Sequence, residues 1–212
     1  MNKFSILILS AGFGKRMLNL TIDTPKSLLK FNNKTLLSNT INFFLEVGCD
    51  EIFINTHYLH NKIENYINKN FYNYPIQLIY EPSILGTGGA VKNIFNYTKN
   101  KKICVVNSDI FWQPNNKLDI LNFLKNFNDI THCKLLLSSY RNIYGLKNEK
   151  GDFNIENGII SNWIEGNNMI YYSGLQIISK KIFENTIKTF PINDIWNHLI
   201  IDKNLKGELI QS

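Results

Sequence analysis

Apolar residues along this chain follow two rhythms. Short, mostly apolar runs occur at 4–9, 51–55, 76–80 and 103–107, each bounded by polar or turn-forming residues. Runs of that length and type predict strands covered on both faces, as in a parallel sheet. Between them the spacing changes to three and four. Leu36, Leu37, Thr40, Ile41, Phe44 and Leu45 predict a helix over 35–47, ended by Gly48. Ile63, Tyr66 and Ile67 predict a second over 59–68, and Ala90, Val91, Ile94 and Phe95 a third. This alternation predicts an α/β fold: a doubly wound, mostly parallel, Rossmann-like sheet with helices on both faces.

Past residue 118 the pattern shifts. A helix is predicted over 118–127, a strand over 134–138, and short strands over 151–155, 159–163 and 171–178, joined by Asn/Gly turns. Two further helices are predicted over 182–187 and, after Pro191, over 192–201. No linker-like stretch, repeat or low-complexity tract divides the chain. One domain over 1–212 is therefore expected, its later strands forming a small β lid over the sheet edge.

Composition narrows the class. The 212 residues, 44% hydrophobic and 19% charged, suit one globular domain with a sizeable core. The net charge of +6 is spread along the chain with no basic run interleaved with aromatics, so no nucleic-acid partner is expected. Cys49, Cys104 and Cys133 are far apart and lack zinc spacing, which predicts buried reduced thiols. The first apolar run is too short for a secretion signal, and no stretch approaches a membrane span. A cytoplasmic protein without a membrane partner is the expectation.

The candidate chemistry begins where the first strand ends. The segment LSAGFGKRMLNLTIDTPKSLL, residues 9–29, puts Ala11, Gly12 and Gly14 where backbone N–H groups can approach an anion. Lys15, Arg16 and Lys26 bring positive charge to the same loop. Taken singly, each basic residue also fits a solvated loop face. A dinucleotide-binding turn needs a third glycine that is missing after Gly12 and Gly14, and no Gly-Lys-Ser/Thr follows to make a Walker loop.

The whole string resembles the signature of the sugar-1-phosphate nucleotidyltransferases: Leu-x-Ala-Gly-x-Gly-x-Arg-Met, then Leu-Thr, then Pro-Lys-x-Leu. The resemblance implies attack of a sugar 1-phosphate oxygen on the α-phosphorus of a nucleoside triphosphate, releasing pyrophosphate. It implies a nucleotide site built from Ser10, Ala11, Gly12, Gly14, Lys15 and Arg16, with Arg16 clamping the β- and γ-phosphates. Lys26 would bridge the α-phosphate and the attacking sugar phosphate. The string Val105-Val106-Asn107-Ser108-Asp109 is similar to the family's strand ending in Asn-Gly-Asp, which makes Asp109 the Mg²⁺ ligand, with Ser108 in place of the usual glycine. Asp109 also fits a turn or helix N-cap after a strand.

Leu85-Gly86-Thr87-Gly88-Gly89 resembles the family's nucleobase turn, and Glu81 stands where some relatives read the base with a Gln. Thr87 equally fits an N-cap. For the sugar, Gly151, Asp152, Glu165, Ser173 and Gly174 follow in the order of family segments that line the acceptor pocket, although a Gly-Asp turn and a surface Glu would look the same. Residues 1–115 would then be the nucleotide-binding part and 116–212 the sugar-phosphate part. Within the family, the later motifs look most like N-acetylmuramate-1-phosphate uridylyltransferases, while the glycine turn is shared with mannose- and heptose-1-phosphate guanylyltransferases. UTP or GTP is the expected donor, and the chain is expected as a monomer or a homo-oligomer.

One departure stands out. Family members carry a further segment, Trp-x-Asp-x-Gly-Thr or a close variant, whose aspartate often completes the metal site, and this sequence stops at Gln211-Ser212. The C-terminal segment is therefore expected to be missing. That leaves open a truncated form, a metal held by Asp109 and phosphates alone, or a non-catalytic nucleotide-binding or regulatory module.

Overall fold

The computed structural model describes residues 4–125, 132–143 and 149–211. β1 (Ser5–Leu9) is followed by β2 (Lys30–Phe31), β3 (Lys34–Thr35), α1 (Leu36–Val47), β4 (Glu51–Thr56), α2 (His60–Asn70), β5 (Ile76–Tyr80), α3 (Gly86–Ile94) and β6 (Lys102–Asn107). Then come α4 (Asn116–Leu124), β7 (Cys133–Ser139), β8 (Phe153–Glu156), β9 (Ile159–Asn162), β10 (Ile170–Ser179), α5 (Ile192–Ile201) and β11 (Leu205–Leu209). The end of the helix expected over 118–127 lies outside the described residues.

The main sheet has the order β5-β4-β1-β6-β10-β7-β11-β9-β8. Its first four strands are parallel, and β10 runs antiparallel between β6 and β7. Successive residues of the buried strands face opposite layers. Ile6, Ile8, Ile52, Ile54 and Val106 pack with Leu37, Ile41 and Phe44 of α1, Ile63 of α2 and Phe123 of α4. Leu7, Phe53, Ile103 and Val105 instead meet Val91 and Ile94 of α3 and Ile195, Trp196 and Leu199 of α5. Helices thus cover both faces, and burying each such side chain contributes about 1.5–3 kcal/mol. The doubly wound, mostly parallel architecture is as predicted.

Local chemistry sets the ends of α1. Thr35 caps its N-terminus by accepting from Ser38 N at 3.0 Å, and Gly48, at φ 102°, ends it in a left-handed turn. Several elements differ from the sequence pattern. The segment expected as a helix over 182–187 is a 3-10 turn at Lys180–Phe183. There the Phe183 carbonyl accepts from both Thr186 N (3.2 Å) and Thr186 Oγ1 (2.9 Å), which closes the turn. The β2–β3 hairpin was not foreseen; its turn residues Asn32 and Asn33 adopt φ 49° and 63°, a conformation asparagine tolerates. The β8–β9 hairpin forms the end of the same sheet, not a separate layer over the sheet edge. It closes back on the sheet, because β8 also pairs with β10 where Phe153 meets Ile170. β7, β10 and β11 continue the main sheet.

Cys49, Cys104 and Cys133 are buried free thiols, and burial pushes the Cys49 thiol up to about 12. Among the described residues, no helix is long and apolar enough to cross a membrane.

Candidate active site

Three strands end side by side: Leu9 is level with Asn55 on β4 and with Asn107 on β6. Chain direction makes this the carboxyl edge of the sheet. The order reverses between β1 and β6, since β4 and β5 follow β1 on one side while β6 lies on the other. Open α/β sheets bind ligands at such a switch point.

A cavity of about 380 Å³ opens there, lined by residues from the loops after β1, β5 and β6 and by Asn55 of β4. Ser10, Ala11, Gly12, Gly14, Lys15 and Arg16 come from the loop after β1, and Lys26 and Ser27 from the turn beyond it. Glu81, Gly86 and Thr87 enter from the far side, and Asn107, Ser108 and Asp109 from the end of β6. The Lys26 ammonium donates to Asp109 Oδ2, joining the two charged groups directly. All eleven predicted nucleotide and catalytic residues therefore line one cavity.

The first loop is held by its own bonds and its neighbours. Met17 N and Thr21 Oγ1 donate to Gly14 O at 2.8 and 3.1 Å, and Ser10 Oγ donates to Ser27 Oγ at 2.7 Å. Phe13 packs its ring against His57 and Tyr58 on the outer side. Gly12 differs from the other glycines of the site. A Cβ there would meet nothing within 4 Å, so the bare backbone faces open space.

The glycine turn has a different reason for its composition. A Cβ on Gly86 would lie 2.6 Å from Phe190 O, one on Gly88 2.3 Å from the Phe190 ring, and one on Gly89 2.4 Å from Lys188 O. Gly88 N and Gly89 N donate to Phe190 O at 3.0 and 3.2 Å. Thr87 does not cap its own helix; its Oγ1 accepts from Ile192 N at 2.9 Å, at the start of α5. The turn is bare because the 188–192 segment lies across it.

Glu81 is 2% exposed. Its carboxylate accepts from Asn55 Nδ2 at 2.8 Å and from Leu85 N at 3.3 Å. Burial pushes its pKa up, while the bonds from Asn55 and Leu85 and nearby His57 work against the rise.

The five sugar candidates lie outside this lining, and of them Gly174 stands against a lining residue, Asn107. β10 is antiparallel to β6 with Leu175 level with Val106, so its first residues stand beside the end of β6. Gly174, at φ +88°, fits against Ile110, and a Cβ there would lie 3.5 Å from Asn107 Nδ2. Ser173 Oγ donates to Leu136 O at 2.8 Å. Asp152 Oδ2 accepts from Tyr172 N at 3.0 Å, and a Cβ on Gly151 would strike Trp163. Glu165 is exposed in the turn after β9. The sequence reading passed over Asn55 and Ser27. Asn55 could have been found as a polar residue closing an apolar strand; nothing local marks Ser27.

Residues 5–146, more than half of the chain, match the nucleotidyl transferase family, and the chain belongs to that family. It is 31% identical over 103 residues to the D-glycero-alpha-D-manno-heptose 1-phosphate guanylyltransferase of Aneurinibacillus thermoaerophilus, covering 49% of this chain and 45% of that protein. It is 30% identical over 151 residues to the bifunctional protein GlmU of Blochmanniella pennsylvanica, covering 70% of this chain and 32% of that one. The chain thus spans less than half the length of these relatives. Among solved structures, HddC from Yersinia pseudotuberculosis complexed with GMP-PN superimposes with a TM-score of 0.76 at 23% identity, over 97% of this chain and 90% of that one. A putative glucose-1-phosphate thymidylyltransferase from Bacillus anthracis gives 0.78 at 18% identity, over 99% and 87%. The fold is shared with both.

Proposed function

We propose that the chain transfers a nucleoside monophosphate from a nucleoside triphosphate, UTP or GTP, to a sugar 1-phosphate. One observation carries this reading: Lys15, Arg16, Lys26 and Asp109 line a single cavity onto which the bare backbone of Gly12 opens. In the transfer, an oxygen of the sugar phosphate forms a bond to the α-phosphorus. The bond from that phosphorus to the oxygen bridging to the β-phosphorus breaks, and its electron pair leaves with pyrophosphate. Two polyanions must be brought into line, and positioned cations lower that repulsion. Arg16 can hold two phosphate oxygens through its planar fork, with Lys15 beside it. Lys26 is assigned to the α-phosphate and the incoming sugar phosphate.

The donor set suits Mg²⁺. Among the described residues no group of three or more His, Cys, Asp or Glu side chains converges on a metal position. Asp109 is, however, a carboxylate at the cavity wall, and Mg²⁺ takes one or two carboxylates and completes its shell with phosphate oxygens and water. Asp109 would hold the ion, which when bound supplies neutralisation of phosphate charge. The acceptor is assigned to the 116–212 part of the single domain, beside Gly151, Asp152, Glu165, Ser173 and Gly174. We assign the protein to the cytoplasm, with no nucleic-acid or membrane partner, as a monomer or homo-oligomer.

The test is pyrophosphate release from UTP or GTP against a panel of sugar 1-phosphates with Mg²⁺. Turnover with one pair is expected. Nucleotide binding without product for any pair would instead make the chain a non-catalytic nucleotide-binding module.

A further inference from the structure

We propose that Asn55 is a positioning residue, whose side-chain amide locks the first loop and the glycine turn at a fixed spacing across the nucleotide cavity. The proposal rests on the nucleotide reading of that cavity. Asn55 is next to last in β4, which lies between β1 and β5, so its side chain stands between the loops that follow those two strands. It is 3% exposed and lines the cavity.

The polarity of the chain of bonds is fixed by its ends. Asn55 Oδ1 accepts from Ser10 N at 2.8 Å, so its Nδ2 faces Glu81 and donates to Oε1 at 2.8 Å. Glu81 Oε2 then accepts from Leu85 N at 3.3 Å, one residue before Gly86. Two donors thus converge on Glu81, and only an acceptor on both oxygens satisfies them. His57 braces the same link, since its Nδ1 pairs with Glu81 O at 2.6 Å while its ring meets Phe13 of the first loop. Glu81 therefore acts on the nucleotide through the turn that Leu85 begins. Buried, fully matched networks of this kind hold a single arrangement, and one mismatched partner is costly.

That polarity supplies a test by exchange of partners. Asn55→Asp keeps the bond to Ser10 but sets an oxygen against the Glu81 carboxylate. Glu81→Gln leaves two donors facing one another at either Asn55 or Leu85. In the double variant the carboxylate at 55 accepts from Ser10 N and from the amide at 81, whose oxygen accepts from Leu85 N. Steady-state kinetics of the full chain with UTP and GTP, melting temperature and amide exchange at Ser10 and Leu85 are measured together. Each single variant is expected to raise the nucleotide KM about tenfold, with a smaller change in kcat and faster exchange at both amides. The double variant is expected to restore KM to within about threefold of wild type and to slow both amides again.

A double variant no better than the worse single, or single variants with unchanged KM well below their melting points, overturns the proposal. Should a single variant not fold, the double variant decides by the same measures. If the wild type turns over no pair, the functional reading falls, and amide exchange still decides whether Asn55 holds both loops.

Discussion

The ammonium of Lys26 rests on the carboxylate of Asp109, although 83 positions separate them in the chain. One follows the proline turn after the first loop, the other the end of β6, and the sheet's switch point brings them together. Their side chains are 27% and 32% exposed, so the pair contributes only about 0–1 kcal/mol to folding.

Under the proposed transfer its value lies in catalysis. Lys26→Ala and Asp109→Ala are each expected to lower turnover about 100-fold or more while shifting the melting temperature little. The double variant should lose less than the product of the two. Pyrophosphate-release kinetics beside thermal unfolding check this, and single variants with wild-type rates would remove both assignments.

The glycines of the site separate into two kinds by what surrounds them. Gly86 sits at φ +71° with Phe190 O 2.6 Å from where a Cβ would stand, whereas Gly12 has nothing within 4 Å. Gly86→Ala is expected to destabilise the fold by about 1–3 kcal/mol through backbone strain and the displaced 188–192 segment. Gly12→Ala is expected to leave stability within about 0.5 kcal/mol yet weaken nucleotide binding, because the added methyl enters the cavity. Denaturant unfolding and nucleotide titration of both variants distinguish them; a nucleotide affinity unaffected by Gly12→Ala would show that no ligand approaches that backbone.

How much of this was legible in the sequence depends on range. Ile6 to Leu9 and Ile103 to Val106 read as doubly covered strands because burial on both faces erases alternation, and the fold follows from their order with the intervening helices. The first-loop residues and Asp109 were legible because they share a short motif or a strand end. The 3-10 turn at Lys180–Phe183 was not, since Thr186 bonds decide it locally against the apolar spacing. β11 escaped notice because its residues, Leu205–Leu209, include Lys206, Gly207 and Glu208, and only pairing with β7 and β9 makes them a strand. The glycine turn resembles a nucleobase turn or an N-cap, and Gly86 and Thr87 line the cavity; that a segment about a hundred residues later also requires its glycines is a contact no local pattern carries.

Thr87 joins that later segment to the turn. Its Oγ1 accepts from Ile192 N at 2.9 Å, supplying the cap that the Pro191 start of α5 lacks. Thr87→Val keeps the shape and removes the acceptor, so a loss of about 1 kcal/mol is expected, in the range of a lost helix cap. Hydrogen exchange at Ile192 should quicken more than at the middle of α5. Equal protection in both proteins would mean that this bond adds nothing.

Burial of Glu81 gives the fold a pH dependence of definite sign. Its carboxyl titrates above the ordinary value of 4.5, chiefly because burial disfavours the charged form. Between 4.5 and the raised value the folded protein keeps a proton that the unfolded chain has released. This group's contribution to stability is therefore full below that window and falls as pH rises through it. Glu81→Gln cannot titrate, so it lacks the decline. Thermal midpoints of wild type and variant, followed from about pH 4 to 7, should show the wild type losing ground to the variant as pH rises through the window. Parallel curves would mean that Glu81 titrates alike in the folded and unfolded chain, and that burial at this position leaves its charge unpenalised.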